Sequence, residues 1–138
     1  MSKVAAELVK QLRDHTGVSM SKCKEALENA NGDMDKAIEF LRKAGIASAV
    51  KKEGRDANEG LIEIDEEENA LVLVEVNAET DFVAQNAKFK EFVQELIHQA
   101  ILTKPASVAE LMQLSYVKDP SLTLDQYRSL IVQSLGEN

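Results

Sequence analysis

Between Ala70 and Ile101 the hydrophobic period changes from two to between three and four, and this change constrains the fold more than any other feature of the chain. In ALVLVEVNAE, Val72, Val74 and Val76 alternate with Leu71, Leu73 and Glu75, and β-branched residues at every second position suit a strand with one well-buried face. From Asn86 onward Phe89, Val93, Leu96, Ile97, Ala100 and Ile101 recur at helical spacing, while Lys88, Lys90, Glu91, Gln94 and Glu95 mostly point elsewhere. A strand followed by a long amphipathic helix predicts a mixed α+β fold.

The joint between the two, Thr80-Asp81-Phe82, has two readings. Extended backwards, the helical wheel puts Phe82 seven residues before Phe89 on the same stripe, so the pattern favours a core position, with Thr80 or Asp81 as an ordinary N-cap. Asn86 can also cap a helix, which would leave Thr80 to Gln85 as a tight connection with Phe82 on its rim. By pattern alone the core is the expectation.

The N-terminal part is helical throughout. Ser2 can cap a helix with Val4, Leu8, Val9 and Leu12 on its apolar face, and Gly17 supplies a left-handed stop. Ser19 opens a second helix whose face is Met20, Cys23, Leu27 and Ala30, ended by Asn31-Gly32. Asp33 caps a third, with Met34, Ala37, Ile38, Leu41 and Ala44 as its stripe and Gly45 as its end. Residues 1–45 thus read as a compact three-helix domain. Residues 46–58, IASAVKKEGRDAN, are small, basic and interrupted by Gly54, and read as a linker that can begin as a helical extension and lets the two halves move.

Residues 59–138 read as a second, α+β domain. LIEID, the acidic turn EEEN and ALVLVEV predict an antiparallel hairpin ahead of the joint and its helix. After Lys104-Pro105, Ser107 with Glu110 and Thr123 with Gln126 each fit a capping box, opening a short helix through Leu114 and a longer one stopped by Gly136. Leu122 and Tyr127 suit a hydrophobic staple on the second.

Charge divides at the same boundary. Residues 1–58 hold 11 Lys and Arg against 9 Asp and Glu, and the remainder 5 against 15, so +2 and −10 make up the net −8. An acidic second half argues against nucleic acid as its direct partner, because phosphate contact needs clustered Lys and Arg. No apolar run approaches the roughly 18 residues that span a bilayer, and MSKVAAELVK lacks the apolar core of a signal peptide, so the chain reads as soluble and cytoplasmic with no membrane partner. A single cysteine, Cys23, excludes an intrachain disulfide and a cysteine-based zinc cluster.

Catalytic signatures are missing. The sequence has no phosphate-binding loop of the G-x-x-x-x-G-K-[ST] type, no H-E-x-x-H and no G-x-S-x-G. His15 and His98 lie on different predicted helices, and Cys23 belongs to an apolar stripe. The run Asp65 to Glu68 lacks the interleaving and the glycine of a calcium loop, and reads as a solvated hairpin turn. These residues describe a protein-binding module of two small domains, neither an enzyme nor a cofactor or metal carrier.

Three stretches, LVKQLRDHTGVSMSKCKEAL at 8–27, NANGDMDKAIEFLRKAG at 29–45 and VEVNAETDFVAQN at 74–86, resemble the elongation factor Ts family in order and spacing, and LGEN at 135–138 resembles a further family signature. The resemblance implies a guanine nucleotide exchange factor for the GTPase elongation factor Tu, acting by binding alone. It implies that the N-terminal helices form a ubiquitin-associated-like module that docks on the GTPase domain. It also implies that the T-D-F turn protrudes and intrudes near the nucleotide's magnesium site, with Phe82 as a wedge. Family contact positions carry over as Arg13, Met20 and Lys24 in the first module, Asp81 and Phe82 at the turn, and Leu135 in the final signature. A different class of reading is a non-enzymatic helical adaptor for another protein partner.

Two departures stand out. Ser21 occupies a place where the family often has a second methionine, and Leu135 one where it commonly has isoleucine. The family normally continues beyond the position of Asn138 into a further strand and a second half of the core, so the chain reads as a fragment. An open strand edge would then favour weak, salt-enhanced self-association, opposed by the acidic hairpin turn.

Overall fold

The structure, a computed structural model, describes residues 4–138. The expected cap at Ser2 lies outside them. Helix α1 (Ala6–Thr16) ends at Gly17, whose φ of 70° lets its N–H reach back to Arg13 O at 2.7 Å. Helix α2 (Met20–Asn29) comes next, and Asn31 and Gly32, both at positive φ, turn the chain into α3 (Met34–Lys52). Asp33 caps α3 by accepting from Lys36 N–H at 3.0 Å. Together these helices close over Leu12, Val18, Cys23, Leu27, Ala37 and Leu41, a core of their own. Burial there pushes the Cys23 thiol above the ordinary cysteine range, in keeping with a small hydrophobe rather than a reactive group.

Strands β1 (Glu59–Glu67) and β2 (Ala70–Ala78) form the antiparallel hairpin. Register decides which residues go inward. Leu61 faces Val76, Glu63 faces Val74 and Asp65 faces Val72, so the valines share their half-buried side with two carboxylates. Ile62, Ile64, Leu71 and Leu73 consequently line the outer face, 58–67% exposed. Gly60 pairs with Asn77 at a φ of 155°, and a Cβ on it would stand 2.1 Å from the carbonyl oxygen of Val76.

A one-turn helix, α4 (Asp81–Ala84), and then α5 (Ala87–Thr103) come after the hairpin. The apolar stripe expected on α5 is buried, joined by Phe92 and by Gln99, which the sequence pattern did not mark. Gln99 is tolerated in the core because both ends of its amide are used: Nε2 donates to Ser115 O at 2.9 Å and Oε1 accepts from Val117 N–H at 3.1 Å. Helix α6 (Val108–Gln113) leads into a small unexpected sheet, β3 (Ser115–Tyr116) with β4 (Asp119–Thr123), and α7 (Leu124–Leu135) completes the order. Tyr116 stacks on Tyr127 at 4.3 Å, and Phe92 meets Tyr127 edge-on at 5.4 Å. Burial pushes the Tyr127 hydroxyl far above its ordinary value, leaving it neutral.

Of the two capping boxes, the one at Thr123 and Gln126 is complete in both directions. At Ser107 the cap accepts from Glu110 N–H, but the Glu110 carboxylate takes the N–H of Ala106 instead of that of Ser107. Gly136, at φ 79°, stops α7.

Gly45 does not end the third helix. It lies inside α3, buried where that helix packs along α7, and a Cβ there would meet Gln133 Oε1 at 3.2 Å and Ser129 O at 3.4 Å. A glycine in mid-helix costs about 1 kcal/mol relative to alanine; here the missing side chain lets two backbones approach. The helical extension that the stretch 46–58 allowed for runs as far as Lys52. Gln133 Oε1 is buried at this crossing with no hydrogen-bond partner among the described residues.

Candidate functional site

The joint after β2 uses both of the caps that its sequence offers. Thr80, in extended backbone, accepts from Val83 N–H at 3.4 Å and starts α4; Asn86, again extended at φ −67° and ψ 137°, accepts from Lys88 N–H at 2.8 Å and starts α5. One continuous wheel cannot cross the extended residue. The expectation that Phe82 shares the stripe of Phe89 is overturned for this reason, and Phe82 stands 85% exposed. Val83 and Ala84 take the inward positions instead, against Ala78, Phe89 and Val93.

The C-terminal residues hold this turn from beneath. Thr80 N–H donates to Glu137 Oε1 at 3.0 Å, and the Thr80 hydroxyl donates to Glu137 Oε2 at 2.8 Å. On the other side of Thr80, Glu79 Oε1 accepts from Asn138 N–H at 2.9 Å and lies 3.5 Å from Arg55 Nη1. The Asn138 side-chain amide donates to Arg55 O at 3.0 Å and Glu53 O at 3.4 Å, tying in the segment just beyond α3. Leu135 packs half-buried under the turn against the cluster of Ala78, Ala84, Phe89 and Val93, beside a cavity of about 70 Å³.

The residues singled out from sequence fall into two groups on different elements. Arg13 on α1, and Met20 and Lys24 on α2, are exposed, with Met20 at 43% and Lys24 paired to Glu28 at 3.8 Å. Asp81 and Phe82 are exposed on α4. Glu79, Glu137 and Asn138 were missed as supports. Glu137 and Asn138 were visible only within the final LGEN, and Glu79 only within VEVNAETDFVAQN, neither of which carries a period or capping pattern that would tie the two ends together.

Elsewhere a cleft of about 620 Å³ separates the first three helices from the β-containing half, lined among others by His15, Arg42, Lys88, Asp119 and Tyr127. Its charges are mixed in sign, and Lys88 is already bonded to Ser134 Oγ at 2.8 Å. Among the described residues no group of three or more His, Cys, Asp or Glu is arranged to hold a metal ion, and no helix is long and apolar enough to cross a membrane.

A family model described as "Elongation factor TS" matches residues 79–138, which begin at the turn and end at the residues that hold it. Similarity to curated relatives runs over the whole chain. Elongation factor Ts of Protochlamydia amoebophila (strain UWE25) is 56% identical over 138 residues, all of this chain and 49% of that protein. The whole chain is similar to about half of elongation factor Ts, and residues 79–138 match that family's model. Elongation factor Ts of Chlamydia pneumoniae is 46% identical over the same 138 residues, and that of Clostridium kluyveri (strain ATCC 8527 / DSM 555 / NBRC 12016 / NCIMB 10680 / K1) 46% over 137. The chain spans about half the length of these elongation factor Ts relatives, 49% and 45% of the last two.

Proposed function

We propose that the chain acts in translation elongation as a guanine nucleotide exchange factor, binding elongation factor Tu and promoting GDP release by disturbing its magnesium and phosphate site. The observation that carries this reading is Phe82, a large apolar side chain 85% exposed on a turn anchored through Thr80 and Glu137. Free apolar side chains of this size on an otherwise acidic surface suit a partner that buries them.

Linkage gives the mechanism. A factor that binds the nucleotide-free GTPase more tightly must weaken the nucleotide's affinity by the same factor. Burying one phenylalanine is worth about 1.5 to 3 kcal/mol, about one to two decades of affinity, so Phe82 acts together with Asp81 and with docking by the first three helices. Arg13, Met20 and Lys24 supply that docking; Leu135 contributes by supporting the turn from below. The division into a docking domain, residues 1–45, and a core domain, residues 59–138, is part of the same proposal. It is supported by the separate apolar core of the first three helices.

The test is release of a fluorescent GDP from elongation factor Tu on adding the chain. Acceleration is expected, with capture of the GTPase lost when excess GDP is added. Capture that is indifferent to GDP would favour the adaptor reading instead. Arg13→Ala and Met20→Ala are each expected to weaken docking several-fold, since interface truncations of this kind cost about 1 kcal/mol, with helix content unchanged. Unchanged affinity in both would remove the docking role of the first module. Weak self-association belongs to the proposal as well, through the outward Ile62, Ile64, Leu71 and Leu73. Glu66 and Glu75 on that face oppose it, so sedimentation is expected to show more dimer at about 0.5 M salt than at 0.1 M. A monomer at every salt concentration would end this part.

A further inference from the structure

We infer that Glu137 is a positioning residue for the Asp81-Phe82 turn, setting the direction in which Phe82 is presented. The inference rests on the exchange-factor reading for its functional consequence and on geometry for the rest. Phe82 at 85% exposure has little packing of its own to fix it, so its direction is set by the backbone of α4. A helix of four residues has no stability in isolation, because nucleation is unfavourable and its first N–H groups lack partners. Its own cap is weak: the Thr80 hydroxyl accepts from Val83 N–H at 3.4 Å.

Glu137 supplies what the cap lacks. Its two carboxylate oxygens take the Thr80 N–H at 3.0 Å and the Thr80 hydroxyl at 2.8 Å, fixing the backbone and the side-chain rotamer of one residue together. Bonds to a carboxylate are about twice as strong as neutral ones. The donor and acceptor are 57 positions apart in the chain, so the contact also fastens the turn to the end of α7. Glu137 is itself held in place. Gly136 redirects the chain at φ 79°, and Asn138 donates its N–H to Glu79 and its amide to Arg55 O and Glu53 O. The two carboxylates flanking Thr80 in space therefore act reciprocally: Glu137 from the tail holds the turn, and Glu79 from the turn holds the tail.

The experiment compares Glu137→Ala, Glu137→Gln and Phe82→Ala in the 138-residue chain. Amide hydrogen exchange is read at Thr80, at Val83 and, as a core reference, at Val93 of α5. Nucleotide release is measured at saturating chain, alongside affinity for elongation factor Tu. For Glu137→Ala we expect Thr80 and Val83 to exchange about tenfold faster with Val93 unchanged. Saturated release should fall about tenfold while affinity changes less than about threefold. Glu137→Gln, which keeps one acceptor oxygen, should lie between. Unchanged exchange at Thr80 and Val83, a rise matched by Val93, or faster exchange with release unaltered would each overturn the inference. If the unsubstituted chain fails to accelerate release, the exchange-factor reading fails, and if only Phe82→Ala leaves release unaltered, Phe82 is removed as the wedge; in either case the amide measurements still decide whether Glu137 holds the turn.

Discussion

Replacing Phe82 with alanine is expected to leave the stability of the chain within about 0.5 kcal/mol of its starting value, the range typical of surface substitutions. Release of GDP from elongation factor Tu should meanwhile fall by about one to two decades, the equivalent of losing one buried phenylalanine. The pairing of the two results carries the information. A phenylalanine in the core would cost about 3 to 5 kcal/mol on truncation, and the melting temperature would fall accordingly. At 85% exposure Phe82 has little packing to lose in the free chain, so its contribution can be realised only against a partner. Thermal unfolding and nucleotide release, measured on the same preparation, check both halves. A marked loss of stability would show that Phe82 packs inward in solution, and unaltered release would remove it as the wedge.

The largest loss of stability from a single methyl group is expected at Gly60. Its φ of 155° is a conformation that side chains rarely adopt, and the added Cβ would stand 2.1 Å from Val76 O and 2.8 Å from the Cα of Asn77. Both neighbours are backbone, so relief requires the strands to separate. Strain of this kind together with overpacking suggests a cost of about 3 kcal/mol for Gly60→Ala, or about 10 °C in melting temperature for a chain of this length. The site lies between the pair of Leu61 with Val76 on the inner face and the pair of Glu59 with Ala78, the last residue of β2 before the turn. Nucleotide release should therefore fall as well, even at temperatures where the variant remains folded. Calorimetry and release assays decide this, and a melting temperature within a few degrees of the original would show that the hairpin yields more easily than its geometry implies.

The turns between the first three helices were legible because each had a local chemical cause. Gly17, Asn31-Gly32 and Asp33 act within a few residues of themselves, and their effects are visible in a short window. The hairpin and the buried stripe of α5 were legible through their periods. Failures arose where the deciding contact was remote. Gly45 looks like a helix end in isolation, but its partners are Ser129 and Gln133. The same holds for the turn: a wheel drawn through Phe82 and Phe89 ignores the competing cap at Asn86. The bonds between Thr80 and Glu137 span a distance in sequence that no local pattern reaches. The sheet of β3 and β4 was missed because two to five residues are too few to express a period.

The passage of α3 through Gly45 bears on how two contacts combine into one affinity. Two recognition sites joined by a loose tether reinforce each other through an effective concentration, which for short flexible linkers is in the millimolar range. Here the 19 residues of α3 form a rod of roughly 28 Å. Its side lies against α7, and the residues just beyond the end of α7 grip the turn that bears Phe82. On the proposed function, engagement by the first three helices would already have fixed the orientation of the aromatic, so little rotational freedom is left to lose at the second contact. Such a coupling is stronger than a tether when the spacing is right and vanishes when it is wrong. Each residue added to a helix rotates the downstream chain by about 100° and advances it by about 1.5 Å, so avidity in this chain is a matter of helical phase as much as of contact area.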